Sequence, residues 1–275
     1  MEQQKDLSDI RNNLYGKAEN LWWMSLYIAI GTLFLSLIAV WADFTIVGFM
    51  AIASPIVITW LREMAADTTN KADKCRRIIL YADGLGQEIP KHELANIYAW
   101  GMGGSIDKAP FVSPYYSSKL NAGPNRLADI VTESSFFTYQ LVDRVNFRLK
   151  VIFCLSIIMI VGLLYTSDIF VKHLNQESVL SIFSKSAAIL IAFLISGDFF
   201  LLIKKYSDIR TIAKESFDKC VRMRDDVNLK EIEILQTVEE YNIAIIQGPP
   251  IPFRFYLKYK DELNEIYRTS HKQSA

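Results

Sequence analysis

The sequence lacks the constellations on which most catalysis depends. It has no GxxxxGK(S/T) loop to cradle phosphates, no HExxH zinc helix and no GxSxG nucleophile elbow. Its three histidines, His92, His173 and His271, stand far apart. The GMGG run at 101–104 is only loosely like a phosphate loop, because no strand pattern precedes it, and it reads as a turn. These absences argue against an enzyme, and no cofactor is expected. Cysteine is scarce as well. Cys75, Cys154 and Cys220 form no CxxC pair, which argues against a disulfide framework or a structural zinc site. An excess of one charge is missing too: 30 basic and 30 acidic residues cancel. Bulk electrostatics therefore points to no nucleic-acid polymer as a partner.

What the sequence does have is apolar residues gathered into blocks. The 275 residues are 51% hydrophobic, and much of that content falls at 21–41, 44–61, 151–170 and 187–203. Each block is roughly 17 to 21 residues with almost no charge, which matches a hydrocarbon layer about 30 Å thick. Trp22, Trp23, Trp41, Phe44, Trp60, Tyr165, Phe170, Phe199 and Phe200 cluster near block ends, where amphipathic rings favour the headgroup level. Basic residues set the orientation. Lys17, Arg62, Arg76, Arg77, Arg148, Lys150, Lys204 and Lys205 flank one end of the blocks, whereas the short connections offer only Lys172 and Lys185. The positive-inside rule then predicts a multi-pass protein of a cell membrane with both termini cytoplasmic. Mixed-charge sequence precedes the first block, so that block reads as an anchor that stays rather than a removable signal.

The expected fold is an all-α membrane protein with four transmembrane helices arranged as two hairpins, continuous with a helical cytoplasmic domain. The predicted segments are a cytoplasmic N-terminal helix at 1–20, hairpin one at 21–61, the first part of the cytoplasmic domain at 62–150, hairpin two at 151–203 and the second part at 204–275. Within the middle segment, glycines and prolines between Gly84 and Pro124 break regular structure around a short helix near 91–100. From Lys204 to Ile246 there is neither glycine nor proline, and apolar residues recur at spacings of three and four. That pattern predicts one unbroken helix of roughly 60 Å. Gly248, Pro249, Pro250 and Pro252 end it, and a terminal helix follows near 253–268.

Two features of the blocks bear on function. Ser25, Ala29, Thr32 and Ser36 form a seam of small residues with a period near 3.5, and Ala188, Ala192 and Ser196 form a second line. Small side chains let helix backbones approach closely, so these stripes read as helix packing or, on assembly, as a pore lining. Asp198 is an ionisable group inside the fourth block, which places it at an interface or toward a protein or water interior. Pro55 predicts a kink in the second block.

Two stretches carry a family likeness. SPYYSSKLNAGPNRLADIVTESSFFTYQLVDR runs over 113–144, and LQTVEEYNIAIIQGPPIPFRFYLKYKDELNE over 235–265. With the two-plus-two spans, they resemble the S-4TM family, pore-forming effectors of bacterial cyclic-oligonucleotide defence systems. Tyr115, Tyr116 and Ser117 stand where that family has a tryptophan-tyrosine-serine type of motif, and Arg254 replaces an acidic residue in its proline-aromatic group. The resemblance implies an antiphage effector that forms a homo-oligomeric pore in the inner membrane. Its partners would be membrane lipids and a cyclic di- or oligonucleotide made by a neighbouring nucleotidyltransferase, acting as activator or as restraint. Arg76, Arg77, Lys119, Arg126, Arg222 and Arg224 could meet phosphates, while Trp100, Tyr115, Tyr116 and Phe253 could stack on bases. A membrane sensor or adaptor that docks partners through its cytoplasmic helices, without a pore, is the alternative.

Overall fold

Prolines open three of the helices. Pro124 is the first residue of α4, where its missing N–H is no loss. The carbonyl of Pro90 accepts from Glu93 and Leu94 at the start of α3, and that of Pro252 accepts from Phe255 and Tyr256 at the start of α8. The computed structural model describes residues 2–42, 45–101, 116–174, 177–196 and 199–272, and the regular elements among them are all helices. These are α1 (Glu2–Ala42), α2 (Thr45–Leu85), α3 (Lys91–Gly101), α4 (Pro124–Leu174), α5 (Glu177–Ser196), α6 (Phe199–Arg224), α7 (Glu231–Gln247) and α8 (Phe253–Lys272). Tyr115 and Asp198 lie outside the described residues, as do the side chains of Ala192, Ser196 and Phe253. Helix α2 runs through Pro55, which is exposed.

The long helix expected over 204–246 is instead two. Helix α6 stops at Arg224 and α7 starts at Glu231. The Asp226 carboxylate accepts from the backbone N–H of Asn228 at 2.9 Å, the local turn that aspartate offers in competition with a helix. The Asn125 side-chain amide, reaching over from α4, donates to the carbonyls of Arg224 and Asp226 at 2.9 and 2.8 Å. Carbonyls at the end of α6 are thereby satisfied from outside the helix.

Contacts divide the chain into two compact units. Unit 1 comprises Met1–Glu19, Ala65–Val145 and Lys205–Ala275; unit 2 comprises Asn20–Met64 and Asn146–Lys204. Unit 1 is built as a water-soluble domain is. Leu7, Ile10 and Leu14 of α1, Cys75, Ile79 and Leu80 of α2, Leu127 and Val131 of α4, and Ile234 and Val238 of α7 share one buried core. Their spacings of three, four and seven are those of single helix faces, and each fully buried aliphatic side chain stabilises the fold by about 1.5–3 kcal/mol. A second cluster holds α8 in place: Phe136 meets Tyr267 at a ring distance of 5.2 Å and Phe217 at 5.8 Å, beside buried Leu263.

Unit 2 has the opposite polarity. Its outward face carries Phe34 (60% exposed), Ile56 (71%), Ile158 (65%) and Phe200 (72%), while Ser25, Ala29, Ala187 and Leu190 are buried. Large exposed apolar groups, with small residues among the buried ones, are characteristic of helices that pack in lipid. The hydroxyls of Ser25 and Thr32 donate to the carbonyls of Trp22 and Ile28 in their own helix, so burying them leaves no unmet donor. Among the described residues, two helices are long and apolar enough to cross a membrane, over Leu7–Ile38 and Pro124–Thr166.

Glycine matters most at Gly84. A Cβ there would lie 2.7 Å from Leu127 Cδ1 and 3.1 Å from the Leu127 Cα, so α2 and α4 touch backbone to backbone. Two residues later Gly86 takes φ +70°, the left-handed position that ends a helix. Gly84→Val should therefore destabilise the protein by about 1–3 kcal/mol through overpacking. Gly16→Ala, a helix-interior position with nothing within 4 Å, should instead raise stability by up to about 1 kcal/mol. Apparent Tm in detergent, followed by intrinsic fluorescence, distinguishes the two.

Candidate functional site

Asp73 and Arg76 stand one turn apart on α2 and both turn into the core of unit 1, at 0% and 8% exposure. A buried charge persists only when it is paired and hydrogen-bonded. Arg76 Nε donates to Asp73 Oδ1 at 3.2 Å, and Nη2 donates to Asn242 Oδ1 of α7 at 2.8 Å. Tyr15 of α1 donates its hydroxyl to the same Asp73 oxygen at 2.5 Å. The guanidinium carbon lies 5.5 Å from the centre of the Tyr241 ring. The Tyr241 hydroxyl in turn shares hydrogen bonds with Thr138 Oγ1 at 2.7 Å and Ser134 Oγ at 3.0 Å, both on α4. One polar network thus joins α1, α2, α4 and α7.

The network is not fully satisfied. Asp73 Oδ2, Arg76 Nη1 and Asn242 Nδ2 are buried and make no hydrogen bond within the described residues. Each such group costs about 1–3 kcal/mol relative to a paired one. The hub is directional, and these three atoms keep hydrogen-bonding capacity beyond the contacts named. Burial works against the Arg76 charge, but Asp73 and the Tyr15 and Tyr241 oxygens more than offset it and hold its pKa above the ordinary arginine value. Burial also raises the pKa of Tyr241. Nearby core thiols respond in the same way: burial pushes Cys75 up to about 11 and Cys220 up to about 12.

The sequence-predicted ligand residues fall into two sets. Arg76, Arg126 and Arg224 are engaged internally. Arg126 donates to Asp83 Oδ1 at 2.8 Å and to the carbonyls of Asp83 (2.9 Å), Ser118 (3.1 Å) and Leu120 (2.6 Å). It braces the segment that carries Lys119. Arg224 pairs with Asp225 at 3.0 Å and approaches Asp129 at 3.9 Å. Tyr116 is a core residue at 4% exposure, and half-buried Trp100 sits under Lys74 Nζ at 5.7 Å. Lys119 and Arg222 face solvent, and Arg77 is half-buried. Among the membrane-block residues, Ser25 and Ala29 are buried and Thr32 and Ser36 half-buried, whereas Ala188 is exposed and Ala187 takes the inward place on α5.

Sequence reasoning passed over Tyr15, Asp73 and Asn242. The available signal was an aspartate three residues before an arginine on an otherwise apolar helix face, and an asparagine inside the apolar face of α7. Among the described residues, no group of three histidine, cysteine or acidic side chains could hold a metal ion. No family model, no curated protein and no solved structure matches the chain.

Arg76→Met leaves Asp73 buried without its counter-charge and should cost about 3–5 kcal/mol. The double variant Arg76→Met with Asp73→Leu should cost less than that single change, which a double-mutant cycle on apparent Tm detects. The pH dependence has a definite sign. Cys75, Cys220 and Tyr241 have folded pKa values above their unfolded ones, so their contribution is complete below about pH 8.5 and is lost as pH rises past the unfolded thiol and phenol values. Apparent Tm should be flat near neutrality and fall above about pH 9.

Proposed function

We propose that this chain is a bacterial antiphage effector of the inner membrane. In this reading its apolar blocks cross the bilayer four times as two hairpins, with both termini and the charged segments in the cytoplasm. A cyclic di- or oligonucleotide bound by the cytoplasmic segments opens or closes an oligomeric pore. The observation that carries the membrane part is the inverted polarity of unit 2, with exposed Phe34, Ile56, Ile158 and Phe200 around buried Ser25 and Ala29. The nucleotide part rests on the likeness of 113–144 and 235–265 to the S-4TM family.

The structure supports a division of labour among the cations. The solvent exposure of Lys119 and Arg222 supports assigning phosphate contacts to them first, with half-buried Arg77 a secondary candidate. Arg126 acts one step back, because its bonds to the Ser118 and Leu120 carbonyls hold the segment bearing Lys119. The small-residue seam on α1 favours close helix packing, which an oligomeric pore requires because one set of four helices encloses too little space.

Liposomes holding a self-quenched dye and the purified protein test the pore, with cyclic di-AMP, cyclic di-GMP and cyclic tri-AMP added in turn. Release that depends on one nucleotide is expected. Lys119→Glu and Arg222→Glu should each weaken its binding by about tenfold or more, the worth of a charge-assisted hydrogen bond, with apparent Tm unchanged. Nucleotide binding without release would favour a sensor or adaptor. Neither binding nor release under any of these ligands would overturn the proposal. Growth with and without a co-expressed synthase separates activation from restraint, since a restrained effector is toxic alone.

A further inference from the structure

Unit 2 contains an open apolar groove of about 540 Å³ between α4, α5 and α6. Its walls include Phe153, Ile157 and Val161 of α4, Leu194 of α5, and Phe200 and Leu201 of α6. Ile157, Val161, Phe200 and Leu201 are 42–72% exposed, so the groove opens outward. Ile160 packs with Leu190, and Phe153 lines the same groove as Leu201. The chain therefore passes the groove in one direction along α4 and in the other along α5 and α6.

That antiparallel passage puts two lysines beyond one end of the groove. Lys150 precedes Phe153 by three residues and Lys204 follows Leu201 by three, each about 4.5 Å further along its helix. Both are exposed. On α4 no acidic residue stands between Asp143 and Asp168, and on α6 none stands between Phe199 and Asp208. An apolar trough with cations beyond one end fits a molecule with an apolar chain and an anionic head.

We propose that this groove is a binding site for one anionic phospholipid, with an acyl chain along the apolar walls and the headgroup phosphate at Lys150 and Lys204. The inference rests on the membrane reading of unit 2, because the groove is formed in part by the candidate span Pro124–Thr166. A helix of a second copy is the poorer occupant. Helices dock in lipid on small residues, whereas these walls are phenylalanine and branched aliphatics. A lipid supplies both required chemistries in one molecule, and juxtamembrane lysines recognise such headgroups.

Native mass spectrometry of the protein released from nanodiscs of equal phosphatidylglycerol and phosphatidylcholine tests the site. The wild-type chain should retain one phosphatidylglycerol in preference to phosphatidylcholine. Lys150→Gln with Lys204→Gln should reduce that preference by about twenty-fivefold, about fivefold per lysine. Val161→Trp, which fills the groove, should lower retention of both lipids. Equal retention of the two lipids by the wild type, an unchanged preference in the lysine variant, or cross-linking of Val161→Cys to a second copy in the lipid-loaded protein would overturn the proposal. Carbonate washing of cell membranes keeps this failure separate from failure of the membrane reading. A chain stripped off by carbonate refutes both, whereas one that stays but shows no lipid preference refutes only the site.

Discussion

A guanidinium in the core of unit 1 must be neutralised, and much of that unit's helix arrangement follows from how Arg76 is neutralised. Asp73 supplies the charge from one turn earlier on α2, Asn242 supplies a carbonyl from α7, and the Tyr241 ring supplies its face. Tyr15 secures Asp73 from α1, and Ser134 and Thr138 hold the Tyr241 hydroxyl from α4. An apolar core alone tolerates sliding and rotation of one helix against the next. A directional network across four helices does not, and buried polar groups of this kind are best understood as fixing register rather than adding net stability.

The two units distribute their apolar side chains differently. In unit 1 the long aliphatic side chains go inside, together with the paired charges of Asp73 and Arg76. In unit 2 many bulky apolar side chains stand outside, while Ser25 and Ala29 are buried along with Ile160 and Leu190. The same helical backbone serves both, because a helix satisfies its own N–H and C=O groups whichever solvent surrounds it. This is why α1, α2, α4 and α6 each supply residues to both units without a change of secondary structure.

Much of the helical order was legible in the sequence because its signals are local. Pro90, Pro124 and Pro252 mark helix starts, and Gly86 marks a stop. The break between α6 and α7 was not legible: the stretch has no glycine or proline, and the decisive groups are an aspartate turn and Asn125, a side chain some hundred residues away. The candidate ligand residues show the same limit. Charge alone made Arg76, Arg126 and Arg224 equivalent to Lys119 and Arg222, yet tertiary contacts turn the first three inward or into braces. An aspartate at the i−3 position was a readable hint for Arg76, but Asn242 and Tyr241 were not, since a contact across so many residues leaves no periodic trace.

The junction of α2 and α4 has an evolutionary consequence. The N–H of Gly123 donates to the Gly84 carbonyl at 2.8 Å, and Arg126 clasps Asp83 by both its carbonyl and its carboxylate. The chain between these points is thus a closed excursion whose ends are pinned independently of its length. Loop-closure entropy grows only logarithmically, by about 0.6 kcal/mol per doubling. Lineages could lengthen, shorten or replace much of that excursion while keeping the Ile97 and Tyr116 anchors, and the helices that frame it would remain in register.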